Sequence, residues 1–329
     1  MLPVRHPRTL LLTLDAFNTI FHPRQPVPEI YTHVAQALGV IPSTITADAV
    51  KPAFRTAFKR NSAQYPNYGR DTPGFGGPKA WWAKVIRECF AQVKGGSTTV
   101  DEIPDRLVET LFTVFGGEAY KLYNDAEPFF RKLQLWKQAK RSRNVSQDLV
   151  REDCWDRIVV GVISNSDDRV PTILRSMGLR VGSAWADNGD LLPPADVRHD
   201  AIKQENDIDF IVTSYEAGKE KPNKHIFDVA QKRAGEYLNV TSPAKRPLFP
   251  APSYYCIHVG DDYHDDYQGG QSAGWDSFLL LREDVEIPEH AQKSARSISN
   301  LDQLFSLLRM EDHDGSCYDC ISSDKPGFG

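Results

Sequence analysis

Short apolar runs that stop abruptly at a polar residue or a glycine recur along the chain. Leu10 to Leu14 ends at Asp15, Ile158 to Ile163 at Ser164, Phe210 to Thr213 at Ser214, and Tyr254 to Val259 at Gly260. A further run, Ser277 to Leu281, follows Gly274. Runs of this length without polar alternation suit strands buried on both faces of a parallel sheet. Between them the apolar spacing becomes helical: Val170 to Met177 before Gly178, Lys224 to Arg233 before Gly235, and Asp266 to Ala273 before Gly274. A glycine just past each pattern can take the left-handed conformation that closes a helix. Strand alternating with helix predicts a doubly wound, parallel-sheet α/β core of the Rossmann-like kind.

The interval after the first run has another character. From Val27 to about Leu135 the spacing is helical, as in Ile30-Tyr31-Val34-Leu38, Val50-Phe54-Phe58, Trp81-Trp82-Val85-Phe90 and Leu107-Leu111-Phe112. We therefore expect residues 1–22 and 136–310 to form the α/β core and residues 23–135 a helical cap inserted into it. Turn residues and aromatics between Tyr65 and Pro78 predict a structured loop between cap helices, and Trp81 and Trp82 read as core packing. Lys137 to Asp156, Gly182 to Asn206 and the proline-rich Glu236 to Ser253 read as loops added to the core. Residues 311–329 are polar and aperiodic, which predicts a disordered tail.

Composition narrows the partners. With 329 residues, 40% hydrophobic and 25% charged, the chain fits a globular protein with one main domain and a smaller second one. A net charge of -5 gives no basic field for nucleic acid, and the basic stretch Lys137 to Arg143 lacks interleaved aromatics and reads as a solvated loop. Five scattered cysteines (Cys89, Cys154, Cys256, Cys317, Cys320) form no secreted disulfide framework and suggest a reducing compartment. Cys317 and Cys320, with Asp312 and His313, fall short of a structural zinc set. No apolar run approaches the ~20 residues needed to span a bilayer. The expectation is a cytoplasmic protein, monomer or homodimer, that acts on a small molecule and binds neither membrane nor nucleic acid.

Each strand end offers a different chemical group. Asp15 and Thr19 follow the first, Ser164 and Asn165 the second, Lys221-Pro222 the third, and Gly260-Asp261-Asp262 with Asp265-Asp266 the fourth. Open α/β sheets bind their ligands at the carboxyl ends of their strands. Taken singly, each group has a plainer reading: a helix cap for Asp15, a helix start for Lys221-Pro222, a turn for Gly260-Asp261-Asp262. Four strand ends that together supply a carboxylate, a hydroxyl, a fixed cation and an acidic cage point to a catalytic site instead. Asp167, Asp168 and His264 read as solvated surface groups.

These motifs, in this order and strand context, resemble the haloacid dehalogenase-like hydrolase superfamily with its helical cap inserted after the first strand. Tyr65-Pro66-Asn67-Tyr68-Gly69, Trp81-Trp82 and Ser164-Asn165-Ser166-Asp167 are similar to a eukaryotic branch of it, and the resemblance covers about residues 8 to 308. It implies that Asp15 attacks substrate and forms a covalent aspartyl intermediate. Thr19, Ser164, Asn165 and Lys221 would complete the catalytic set, with Ser164 and Lys221 holding the anionic group in flight. The implied cofactor is Mg²⁺, held by Asp15, the main-chain carbonyl of Phe17, Asp261 and one of Asp262, Asp265 and Asp266. Of these last three, Asp266 stands in the matching position of the motif.

Phe17 departs from the pattern. Phosphatases of the superfamily carry there a carboxylate that protonates the leaving group and later activates water. General acid and base catalysis is worth ~10²–10⁴-fold, so its loss slows an enzyme without abolishing it. The expectation is a Mg²⁺-dependent phosphatase of small phosphorylated metabolites with weak turnover. Two alternatives stand beside it. One is a phosphate-binding or regulatory protein without turnover; the other is a 2-haloacid dehalogenase, suggested by the aromatic Phe17 but offering no use for the acidic cage.

Overall fold

The computed structural model describes residues 8–142 apart from 97, 155–182, 206–241, and 254–310 apart from 284, 286, 290, 291 and 293. The expected tail, the Cys317–Cys320 pair, Cys154 and most of the three expected loops lie outside the described residues. In chain order the elements begin with β1 (Thr9–Leu14), β2 (Phe21–Pro23), α1 (Val27–Ala37), α2 (Ala47–Gln64), α3 (Pro66–Gly69), α4 (Gly77–Lys94) and α5 (Asp105–Val114). Next come β3 (Tyr120–Leu122), α6 (Ala126–Ser142), β4 (Arg157–Ser164), α7 (Val170–Ser176), β5 (Phe210–Thr213), α8 (Ser214–Ala217) and α9 (Lys224–Thr241). The chain continues through β6 (Tyr254–Gly260), a π-helical turn (Tyr263–Gln268), α10 (Gly269–Ser272), β7 (Asp276–Leu280), β8 (Ser297–Ile298) and α11 (Gln303–Leu307).

Six strands form one parallel sheet in the order β5-β4-β1-β6-β7-β8. The α/β doubly wound expectation holds. Its strands are continuous apolar runs because both faces are covered. On β1, Leu10, Leu12 and Leu14 join the larger buried cluster, while Leu11 faces the other way, among Phe227, Ala230 and Ala234 of α9. That is the two-residue period of a strand between two apolar layers. The chain runs outward from β1 to β4 and β5, then returns to β6 on the other side. Strand order therefore reverses beside β1, and Asp15 lies at that crevice, its N–H bonded to the Val259 carbonyl at 2.8 Å.

Helices α1, α2, α4 and α5 lie between β1 and β4 in sequence and share the larger apolar cluster with one face of the sheet. The antiparallel pair β2–β3 joins the two ends of this insertion. At the seam, Phe17, Phe21 and Tyr120 meet edge to face, with centroids 4.7 to 5.6 Å apart.

Two local expectations need correction. Helix α6 runs past residue 135 and through Lys137, which was assigned to a solvated loop. The apolar stripe Phe129, Phe130, Leu133 and Trp136 continues across that point, and the buried Lys137 ammonium meets Asp209 at 3.1 Å. Asp209 also accepts from Tyr237 and from the Val160 N–H, so Lys137 joins a network beneath the sheet edge. Helix α9 continues past Gly235 to Thr241, with Leu238 buried. Gly235 lies inside it and closes nothing.

Candidate functional site

The chain leaves β1 through a tight turn that aims two side chains at the strand ends. Asn18 adopts a left-handed backbone with φ of 55°, which asparagine tolerates better than most residues. The N–H groups of Ile20 and Phe21 return to the Ala16 carbonyl at 2.9 and 3.2 Å. Thr19 Oγ1 then donates to Asp261 Oδ1 at 2.9 Å, tying the first strand end to the fourth. Arg282 holds the same turn from outside. It donates to the Thr19 carbonyl at 2.6 Å, grips Asp125 at 3.0 Å, and lies 3.9 Å from the centre of the Tyr123 ring.

Lys221 joins the strand ends. Its buried ammonium lies 2.5 Å from Asp15 Oδ1, 2.6 Å from Asp266 Oδ1 and 2.9 Å from the Ile163 carbonyl, which fills its three donors. Asn165 fixes the backbone that carries it, accepting from the Lys221 N–H at 2.7 Å and donating to the Lys221 carbonyl at 3.0 Å. The same Asn165 amide also donates to Asp265 at 3.0 Å.

The acidic loop sorts its aspartates by role. Asp262 caps the π-helical turn by accepting from the Asp265 N–H at 2.7 Å, and Asp265 braces Asn165. Asp266 turns inward; its Oδ2 accepts from the Asp262 N–H at 3.0 Å. Gly260 makes this possible, because a Cβ there would lie 2.1 Å from the Asp266 carboxylate. One oxygen from each of Asp15, Asp261 and Asp266 falls within 4.8 Å of the others.

Charge is unevenly balanced in this cluster. Burial opposes the ionised Asp266, yet Lys221 and His258 hold it well below the usual carboxylate range. Burial also opposes the Lys221 ammonium, but Asp15 and Asp266 together keep it charged. Asp15 is left short of positive charge: burial pushes it up to about 8 against the pull of Lys221, and Asp266 and Asp261 add to the rise. Burial and Asp266 push Asp261 up to about 6. Three carboxylates thus share one lysine, a donor set that suits a hard divalent cation. The Phe17 carbonyl, which receives no hydrogen bond from any described residue, adds a neutral oxygen of the right kind.

All of Asp15, Thr19, Ser164, Asn165, Lys221, Asp261 and Asp266 therefore stand at one edge of the sheet. The Ser164 hydroxyl makes no hydrogen bond with a described residue and is free to serve as a donor. The Phe17 side chain packs into the aromatic seam rather than presenting a polar group. Asp167 is not the solvated group expected. It is 3% exposed, gripped by Arg169 Nε and Nη2 at 2.9 and 2.7 Å, and accepts from the Trp82 indole at 2.8 Å. His264 and Asp168 are exposed. Trp81 is core packing as expected, whereas Trp82 reaches across from α4 to Asp167. The Asn67 side-chain amide likewise donates to the Ser214 carbonyl at 2.8 Å.

Sequence reasoning missed His258, Arg282 and Arg169. His258 is fully buried on β6, bonded to Thr13 Oγ1 and to Asp266 Oδ1, both at 2.9 Å. Burial keeps its imidazole below the ordinary range, so it meets Asp266 as a neutral ring and serves as a donor there. The one available signal was a polar ring within the apolar run Tyr254 to Val259. Nothing local marks Arg282, whose partners lie far away in sequence.

Comparison with known proteins finds relatives of this chain. A HAD-hydrolase-like family model matches residues 219–304. The chain is 30% identical over 272 residues to haloacid dehalogenase-like hydrolase domain-containing protein 3 of Mus musculus, covering 82% of this chain and 81% of that protein. It is 28% identical over 318 residues to the Homo sapiens protein of the same description, covering 97% of each. Among solved structures, the magnesium-bound HAD-hydrolase YfnB of Bacillus subtilis matches with a TM-score of 0.49 and 17% identity over 92% of this chain and 98% of that one. Among the described residues no helix is long and apolar enough to cross a membrane.

Proposed function

The chain belongs to the haloacid dehalogenase-like hydrolase family, and we propose that it is a Mg²⁺-dependent phosphatase of small phosphorylated metabolites whose turnover is slow. The observation that carries this reading is the convergence of Asp15, Asp261 and Asp266 on one point, with the Lys221 ammonium set between Asp15 and Asp266. Asp15, Asp261, Asp266 and the Phe17 carbonyl would hold the cation, which when bound offsets the charge of the substrate phosphate. A dehalogenase has no use for that acidic surplus, because a carbon centre brings no phosphate charge to offset.

The residues divide the work by position. An Asp15 oxygen attacks phosphorus while the ester oxygen leaves with the bonding pair, giving an aspartyl phosphate. Lys221 keeps Asp15 oriented and favours its ionised form. The free Ser164 hydroxyl and the Lys221 ammonium are placed to donate to the transferring oxygens, where preorganised donors are most effective. Asn165 positions Lys221, and Thr19 positions Asp261. The leaving oxygen must take its proton from solvent or from the substrate, since Phe17 has none to give. The same gap slows hydrolysis of the aspartyl phosphate, which becomes the slow step.

One specific observation favours a second reading, a phosphate-ligand-binding protein without turnover: Phe17 is held 4.7 Å from Phe21 and 5.6 Å from Tyr120, so an apolar seam occupies the place of the acid. A screen of small phosphate esters with and without Mg²⁺, run beside Asp15→Asn and Phe17→Asp proteins, separates the two. Cleavage that needs Mg²⁺ and Asp15 supports the phosphatase. Tight retention of an ester with no product from either native or Phe17→Asp protein supports the binder.

A further inference from the structure

Beneath the cap lies a cavity of about 220 Å³ bounded by α1, α2, α4, α5 and the loop after β4. Six aromatic side chains (Tyr31, Phe54, Phe58, Trp82, Phe112 and Phe115) and three aliphatic ones form its wall, and Arg169 is the one charged residue among them. Its size exceeds the ~150 Å³ known to hold benzene in an apolar cavity. A single substituted ring fits.

Two polar groups of this wall lack partners. Arg169 spends Nε and Nη2 on Asp167, and Trp82 and Phe112 lie 5.0 and 4.9 Å from its guanidinium. Its Nη1 makes no hydrogen bond with any described residue. Tyr31 is 2% exposed, and its hydroxyl is likewise without a partner among the described residues. Arg169 and Tyr31 line the same cavity, so both vacant groups border one otherwise hydrocarbon space. Arg169 is half-buried, and neither atom is sealed from solvent, so each meets water that a ligand atom can replace.

The charge state of the ligand follows from Asp167. That carboxylate is 3% exposed and already matches the Arg169 charge with two hydrogen bonds. A ligand carboxylate would bring a second, uncompensated negative charge into the cavity. A neutral oxygen acceptor meets Nη1 without that penalty. Polyhydroxylated groups fit badly too, since six aromatic walls leave most hydroxyls unsatisfied.

We propose that this cavity is a subsite for an uncharged aromatic or branched hydrocarbon group that offers an oxygen acceptor to Arg169 Nη1 and a polar atom to the Tyr31 hydroxyl. Its position links it to the strand-end site. The Phe115 ring in its wall is 6.0 Å from Tyr120, which is 5.6 Å from Phe17, two residues beyond Asp15. As part of a substrate it rests on the phosphatase reading and makes aryl or arylalkyl phosphates, rather than sugar phosphates, the class cleaved. As a ligand site it stands without that reading.

The test uses the full chain, free of metal and phosphate, titrated with acetophenone, benzoate and glucose by calorimetry and by tryptophan fluorescence, which Trp82 reports. Acetophenone, a neutral ring with one carbonyl, is expected to bind saturably and more tightly than benzoate or glucose. Val27→Phe, which fills the cavity from α1, should weaken it at least tenfold, and Tyr31→Phe about fivefold. The unfolding midpoint of each variant shows whether it has folded, and Tyr31→Phe, which only removes an oxygen, decides the matter where Val27→Phe does not fold. No saturable acetophenone binding, equal binding of glucose, or unchanged affinity in the folded variants overturns the subsite. A protein that binds acetophenone but cleaves no phosphate loses the phosphatase and keeps the subsite; one that cleaves sugar phosphates with Mg²⁺ and ignores acetophenone does the reverse.

Discussion

The Lys221 ammonium lies 2.5 Å from Asp15 Oδ1, across 206 residues of sequence. It is the buried positive charge shared by Asp15 and Asp266. Lys221→Met should therefore lower stability by about 3–5 kcal/mol, the usual cost of stranding a buried charge. The deficit should shrink as pH falls, because without Lys221 the Asp15 and Asp266 carboxyls lose the charge that favours their ionised forms, so the folded variant takes up protons at a higher pH than the native protein does. Urea unfolding of the variant at a series of pH values measures both effects.

Mg²⁺ should do at neutral pH what protons do at low pH. At a concentration about 100 times its Kd, a ligand of the folded state adds about 2.7 kcal/mol, which raises Tm by about 5 °C. Protons compete for the same oxygens. The gain should begin to fade as pH falls through about 8, where Asp15 takes up its proton, and fade further through about 6, where Asp261 does. Differential scanning fluorimetry with Mg²⁺ and then EDTA reads it directly.

Gly260→Ala should remove that gain. The added methyl would lie 2.1 Å from the Asp266 carboxylate and force it away from Asp15 and Asp261. Overpacking of this kind costs about 1–3 kcal/mol. The discriminating readout is the loss of the Mg²⁺-induced shift in Tm, which a stability change elsewhere would leave in place.

Much of this site was legible because its parts end apolar runs. Asp15, Ser164 and Asp261 each follow a stretch whose only sensible place is a buried parallel strand, and a strand end fixes where its next residue lies. Lys221 announced itself through the same logic one turn later. His258, Arg282 and the Asp167–Arg169–Trp82 group did not, because each earns its position from a partner that sequence spacing cannot reveal. Asp167 reads as a surface acid until Trp82, 85 positions earlier, is folded over it. Lys137 looked solvated for the same reason: Asp209, which buries it, lies 72 residues away.

Trp82→Phe tests the hydrogen bond from α4 to Asp167 while keeping a ring beside Arg169. Asp167 retains its bonds to Arg169, so the expected loss is that of one hydrogen bond, about 1 kcal/mol. A lower urea midpoint at unchanged slope is the expected result.

Phe17→Asp should restore the missing proton transfer. Steady-state hydrolysis of an aryl phosphate is expected to rise by ~10²–10⁴-fold, although the aspartate gives up the packing of Phe17 against Phe21 and Tyr120. The ratio of kcat to that of the native protein, at saturating Mg²⁺, is the quantity to compare.

The most direct measurement is rapid acid quenching of native protein mixed with an aryl phosphate and Mg²⁺, followed by mass spectrometry of the peptide that carries Asp15. A burst of leaving group matched by one phosphoryl group on Asp15, absent from the Asp15→Asn protein and decaying slowly in steady state, is the predicted result. Mg²⁺-dependent hydrolysis by folded protein without phosphate ever appearing on Asp15, or no cleavage and no phosphoryl transfer at all, contradicts it.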